Sequence, residues 1–139
     1  MSVPDEGYSR NVPCAINFIS TLLLKNHVCI NILIDKPDVT ISESTSTFSG
    51  TGGGSVNIPC SYVSNPSATS VSWRKIQNSA TTTITINGNK YAGGGLYQSG
   101  LTIYDLEASD VASYQCVATN RVGTGESESV QLIVDTKCK

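Results

Sequence analysis

Few residues in this chain could carry chemistry, and their spacing argues against most of it. The one histidine, His27, lies two positions before Cys29, and Cys14 is fifteen residues before that cysteine. Imidazole and thiolate both bind zinc, but a zinc site needs three or four ligands that converge, and this set is sparse and scattered. A hydrolytic triad needs a base beside its nucleophile, and His27 stands apart from the rest of the chain. Glu107 and Asp110 could form a carboxylate pair, yet they fall in a bend between strand-like runs, where solvated acids are common. The stretch "GTGGGS" (50–55) resembles the start of a phosphate-binding loop. It lacks the Gly-Lys-Ser/Thr ending and no helix follows, so a turn is expected. No catalytic residue, metal site or cofactor is predicted, and the chain reads as a non-enzyme.

A different constellation stands at "DVASYQC", residues 110–116. Alternate residues of a β-strand face the same side, so Ala112, Tyr114 and Cys116 point together into whatever lies beneath. The five cysteines leave one unpaired, or bonded to another molecule, if the others form disulfides. The compartment therefore turns on which of them pair, because cytosolic proteins seldom keep such bonds.

Composition bounds the rest. With 139 residues, 39% of them apolar, the chain suits one domain with a modest core, or one domain plus a tail. Charged residues are sparse at 14% and the net charge is −2, which gives no electrostatic footprint for nucleic acid or an anionic membrane. No run of apolar residues is long enough to span a bilayer. Proline occupies the middle of "NPS" (65–67), and no other N-x-Ser/Thr occurs, so N-glycosylation is not expected.

Residues 1–36 read unlike the remainder. The apolar stretch from Ala15 to Leu24 could be the centre of a signal peptide, but Asp5 and Glu6 stand where positive charge belongs, and no small-x-small cleavage site follows. The alternatives are an extra strand or helix packed on the domain, or a stretch that is not native coding sequence. Every expected core position lies after Pro37, so this segment is expected to be dispensable for folding.

From residue 37 onward, short alternating runs are separated by turn chemistry. Val39 and Ile41 share a face in "DVTIS", as do Val56, Ile58 and Cys60 in "SVNIPCSY", and Val71 and Trp73 in "SVSWRKIQ". "ATTTITING" ends in a turn at Asn87-Gly88, "GLTIYDL" points Leu101 and Ile103 inward before a bend at Leu106, and "ESVQLIV" aligns Val130, Leu132 and Val134. At least seven short strands with no helix-period segment predict two antiparallel sheets packed face to face. Pro59 lies inside one of these strands, so it is expected to face outward at a gap in the ladder. The glycine-rich "NKYAGGGLYQSG" (89–100) predicts that any strand there is very short or absent.

Trp73 follows Cys60 by 13 residues, Cys116 follows Cys60 by 56, and Tyr114 stands two before Cys116. With "LTIYDLEASDVASYQC" and the Ala118-x-Asn120-x-x-Gly123 pattern, residues 37 to about 135 resemble the immunoglobulin superfamily, in particular its I-set domains. The resemblance implies an all-β, two-sheet Greek-key sandwich over 37–135, with a short tail at 136–139. It also implies a Cys60–Cys116 disulfide packed by Trp73, a core position at Leu101, and a tyrosine corner at Tyr114. Asp110 would pair with a base on a neighbouring strand, Lys90 in preference to Lys75. Cys14, Cys29 and Cys138 are left without an assigned partner, Cys138 being expected exposed.

Such domains serve as protein-recognition or adhesion modules of secreted and cell-surface proteins, often in tandem, and this is the function the resemblance implies. A protein ligand or a homophilic contact would be the partner, without nucleic acid and without a membrane span in this chain. The alternative is a structural module of an intracellular, muscle-type filament protein. Strand parity turns Arg74, Ile76, Val117 and Ile133 outward, and with Arg121 at a loop tip they are the expected contact residues. The end of the chain soon after the last strand suggests a fragment or truncated product.

Overall fold

The structure is a computed structural model that describes residues 21–24, 27–30, 34–42 and 46–137. Its contacts fall into two units, Met1–Ile34 and Asp35–Lys139. In the first, β1 (Thr21–Leu24) and β2 (His27–Ile30) pair antiparallel, Leu22 opposite Cys29. The described residues of this segment are the two strands. Cys14 and Cys138, and the side chain of Cys29, lie outside the described residues.

The second unit is built from short strands in two layers. β3 (Asp35–Thr40), β4 (Thr47–Thr51), β5 (Val56–Ile58), β6 (Ser61–Asn65) and β7 (Ser70–Gln77) come first. β8 (Ala80–Thr83), β9 (Tyr91–Gly93), β10 (Leu101–Ile103), β11 (Ala112–Thr119), β12 (Thr124–Glu126) and β13 (Val130–Asp135) follow, with one 3-10 turn at Ala108–Asp110. One layer runs β4-β13-β11-β7-β8, with β12 also pairing with β11. The other runs β9-β10-β5, while β6 pairs with β3. This is an all-β sandwich, and its alternating strands are the reason it forms. β13 is buried at Val130, Leu132 and Val134 and exposed at the residues between.

Pro59 accounts for the split between β5 and β6. It has no N–H to give a ladder, so the strand stops at Ile58 and resumes at Ser61 with a new neighbour. Ile58 and Cys60 stay buried on either side of it.

The glycine-rich stretch yields a strand of three residues, β9. Its turn is closed by Gly94 N–H to Gly100 O (2.8 Å) and Gly95 N–H to Gln98 O (3.0 Å). Gly93 has φ +75°, and a Cβ there would lie 2.2 Å from the carbonyl oxygen of Gly100, so only glycine fits. A Cβ on Gly94 would lie 3.1 Å from the Trp73 ring. The hairpin thus rests on the tryptophan, and Trp73 Nε1–H donates to Ser99 O at 2.7 Å.

Between the layers lie Trp73, Tyr114, Ile58, Leu101, Ile103, Leu132 and Cys116, all fully buried. Cys60 and Cys116 form a disulfide between the layers, with Cα atoms 6.4 Å apart. The closed loop of 56 residues puts its stabilisation at roughly 4 kcal/mol on chain-entropy grounds.

β4 is a strand that alternation did not reveal. "TFSGT" has one apolar residue, Phe48, which packs half-buried against the core. Its pairing with β13 is parallel, Phe48 opposite Leu132. Gly50 lets Leu106 approach, since a Cβ there would meet the Leu106 side chain at 2.4 Å.

Candidate protein-contact surface

Of the residues singled out above, Glu107, Asp110, Lys90, Lys75 and Tyr114 converge at one end of the sandwich and are occupied there. Asp110 is 1% exposed, and its Oδ2 accepts from Lys90 Nζ at 2.6 Å and from the Glu107 N–H at 2.8 Å. Lys90 also donates to Asp105 O at 2.8 Å, with Glu107 Oε2 3.6 Å away. Lys75, the other candidate base, donates instead to Ser109 O at 2.8 Å. Tyr114 O–H donates to Asp110 O at 2.8 Å, so the buried phenol is satisfied.

The electrostatics follow from that packing. Partial burial alone would lower the Lys90 pKa, but the hydrogen bond and charge of Asp110, helped by Glu107 and Tyr91, raise it above the ordinary value. Burial pushes the Tyr114 phenol up, and Tyr91 and Asp110 add to this. Tyr91 is raised by burial and then by Asp110. These groups lock one another in place, and Glu107 and Asp110 close a turn.

At the other end a neutral residue does the equivalent work. Asn120 is 3% exposed. Its Nδ2 donates to Asp35 O (2.7 Å), Pro66 O (3.1 Å) and Ser64 Oγ (3.2 Å). Its Oδ1 accepts from the N–H groups of Val122 (2.8 Å) and Gly123 (3.1 Å). One side chain thereby ties the loop after β11 to the loop after β6, which carries a cis Asn65–Pro66 peptide, and to the start of β3. The domain's first strand begins at Asp35, two residues before the expected boundary, and the Asp35 carbonyl is part of this network. Beside the buried hub, Arg121 is exposed and Val122 is 48% exposed.

The outer face of β7, β11 and β13 carries the remaining expected contact residues. Arg74 pairs with Glu126 on β12 and donates to Gln115 Oε1 at 3.4 Å. Ile76 is half-buried opposite Ser113, and Ile133 is 47% exposed. Val117 is a correction. Parity does turn it outward, but it is only 5% exposed and cannot be a contact residue. It lies between Ser72 on β7 and Glu126 on β12, and the Arg74–Glu126 pair reaches across β11 beside it. Parity gives the side of a sheet, not what neighbouring side chains lay over it.

Among the described residues, no three His, Cys, Asp or Glu converge as metal ligands, and no helix is long and apolar enough to cross a membrane.

A two-layer sandwich closed by a disulfide against one tryptophan, with a tyrosine bonded back into the preceding turn, defines an immunoglobulin-type domain. Residues 36–120 match the immunoglobulin domain family, and the chain belongs to it. The human "Leucine-rich repeats and immunoglobulin-like domains protein 2" is 32% identical over 139 aligned positions, which cover 92% of this chain and 13% of that protein. The N-terminal Ig1-2 module of the Drosophila receptor protein tyrosine phosphatase DLAR is similar at a TM-score of 0.57 and 25% identity, covering 74% of this chain and 48% of that one. A marsupial T cell receptor, at a TM-score of 0.59 and 17% identity, covers 73% of this chain and 54% of its own, a likeness of fold.

Proposed function

We propose that this chain is a non-catalytic protein-recognition module that works outside the reducing cytosol, at the cell surface or secreted. The observation that carries the reading is the buried Cys60–Cys116 bridge, a bond that oxidising compartments maintain and the cytosol seldom does. The receptor and immunoglobulin-like proteins named above support it by likeness. The alternative, a module of an intracellular filament protein, predicts the same sandwich with reduced cysteines.

The contact surface is the loop end held by Asn120, with Arg121 and Val122 projecting, together with the outer sheet face that runs from Arg74 at mid-strand to Ile76 and Ile133 at the far end of the sheet. A hub of five hydrogen bonds holds the loops before a partner arrives, which lowers the ordering cost of binding. Arginine beside exposed apolar groups is typical of interface hot spots. The test is binding of the disulfide-intact full chain to a panel of secreted and cell-surface proteins, repeated with Arg121→Glu and Ile133→Glu. A binder of the parent that both variants lose, at unchanged melting temperature, supports this surface. A binder held equally by both variants moves the site elsewhere.

A further inference from the structure

The open edge of the larger sheet, where Thr83 and Thr81 stand opposite Arg74 and Ile76, has the features of a pairing edge. Among the described residues, β8 pairs only with β7, and all four of its residues are exposed. The hairpin joining them turns at Asn78 and Ser79, both with positive φ (54° and 65°), as a two-residue hairpin turn requires. Gln77 stands opposite Ala80 at that turn, and Ile84 N–H donates to Trp73 O at 2.8 Å further along. Antiparallel ladders alternate, so these two points set the phase. Ala80, Thr82 and Ile84 turn their main-chain groups to β7, while Thr81 and Thr83 turn theirs away from the sheet.

Proteins usually protect such an edge with charge, proline or a covering segment. Here the chain from Ile76 to Asn89 has neither a charged residue nor a proline, and "ATTTITI" (80–86) is β-branched at every position after the first. The corresponding edge of the other layer differs: β9 has three residues and directly follows Lys90. The cations that stand opposite β8 in register are Arg74 and Lys75, one strand in, and both are occupied, by Glu126 and by Ser109 O.

We propose that β8 pairs antiparallel with β8 of a second copy of this chain, about a two-fold axis at Thr82. Thr81 then exchanges both main-chain hydrogen bonds with Thr83 of the second copy, and Thr83 with its Thr81. Thr82 faces its own counterpart. An uncharged edge is complementary to itself, because no like charges meet across the axis, and threonine pairs are favourable cross-strand neighbours. The two sheets become one continuous sheet.

The test is sedimentation of the full chain over a concentration range, with free thiols alkylated so that no intermolecular disulfide can link copies. The parent should pass from monomer to dimer as concentration rises. Thr83→Pro removes an outward N–H and no bond to β7, and Thr82→Lys sets two ammonium groups against each other at the axis. Each should weaken association at least about tenfold, or about 1.4 kcal/mol, with the monomer's melting temperature kept. Ile133→Glu, on the face proposed for partners, should leave association unchanged. A chain that stays monomeric throughout leaves the edge to a strand of some other protein and overturns self-pairing. So does a dimer that survives both edge variants, or one that Ile133→Glu abolishes. Failure of the partner-binding test above leaves this result untouched.

Discussion

The two ends of the sandwich each bury one polar side chain as a hub, Asp110 at one and Asn120 at the other, and they use it differently. At the Asp110 end the charges satisfy one another: Lys90, the Glu107 N–H and the Tyr114 corner all terminate on that residue. At the Asn120 end the hub is neutral and bonds only backbone and one hydroxyl, so Arg121 beside it keeps its charge for the surface. A charged hub draws neighbouring charges inward and builds stability. A neutral hub fixes loops and leaves adjacent residues projecting. Titratable residues concentrated in one place therefore serve here to hold the fold together.

The largest effect expected comes from Trp73, fully buried in the core. Trp73→Ala should cost on the order of 3–5 kcal/mol, the range for emptying a large aromatic site, and so sets the scale for both ends. A variant melting within a few degrees of the parent would remove the tryptophan from the core. Next, Asp110→Ala leaves Lys90 without its buried partner and should cost on the order of 3 kcal/mol in chemical denaturation. Asn120→Ala should cost less, about 1–2 kcal/mol, because water can reach several of the groups it releases. A larger loss at Asn120 than at Asp110 would reverse the assignment of roles.

Alkaline titration sharpens the same contrast. The raised pKa of Lys90 means that its contribution is fully present below the ordinary lysine value of 10.5 and is lost as pH rises through the folded-state value. Tyr114 behaves likewise above the ordinary tyrosine value of 10.0. Denaturation midpoints should therefore hold up to about pH 10 and fall beyond it. Tyr114→Phe should flatten that fall, whereas Asn120→Ala, which removes no titrating group, should leave its slope unchanged.

Smaller again is removal of residues 1–36. A chain beginning at Pro37 keeps every buried core position but loses the Asp35 carbonyl that Asn120 binds, so it should fold with a loss of about 1 kcal/mol. Failure to fold would mean that the segment before Pro37 supplies an essential strand. Smallest is Arg121→Glu, exposed at the loop tip, with a stability change within about 0.5 kcal/mol alongside lost partner binding.

The features legible in the sequence were those set by periodicity and by turn chemistry. The positions of Cys60, Trp73, Tyr114 and Cys116 follow from alternation, and the interruption at Pro59 from its missing N–H. The contacts that escaped were between residues far apart or without hydrophobic pattern. β4 is Ser, Thr and Gly around one phenylalanine and gains its place by pairing with β13. Asn120 stood out in a motif, but nothing local foretold a bond to Asp35, 85 residues earlier. Val117 is buried on a strand that the Arg74–Glu126 pair spans, and a single strand's parity cannot report such a neighbour.

The central claim, a recognition module maintained in an oxidising compartment, rests most directly on the state of two sulfur atoms. Peptide mapping of the protein from its native source, trapped with alkylating agent and digested without reductant, reads that state. The account predicts a linked pair of peptides containing Cys60 and Cys116. Recovery of both as alkylated free thiols would contradict it and favour the intracellular filament reading.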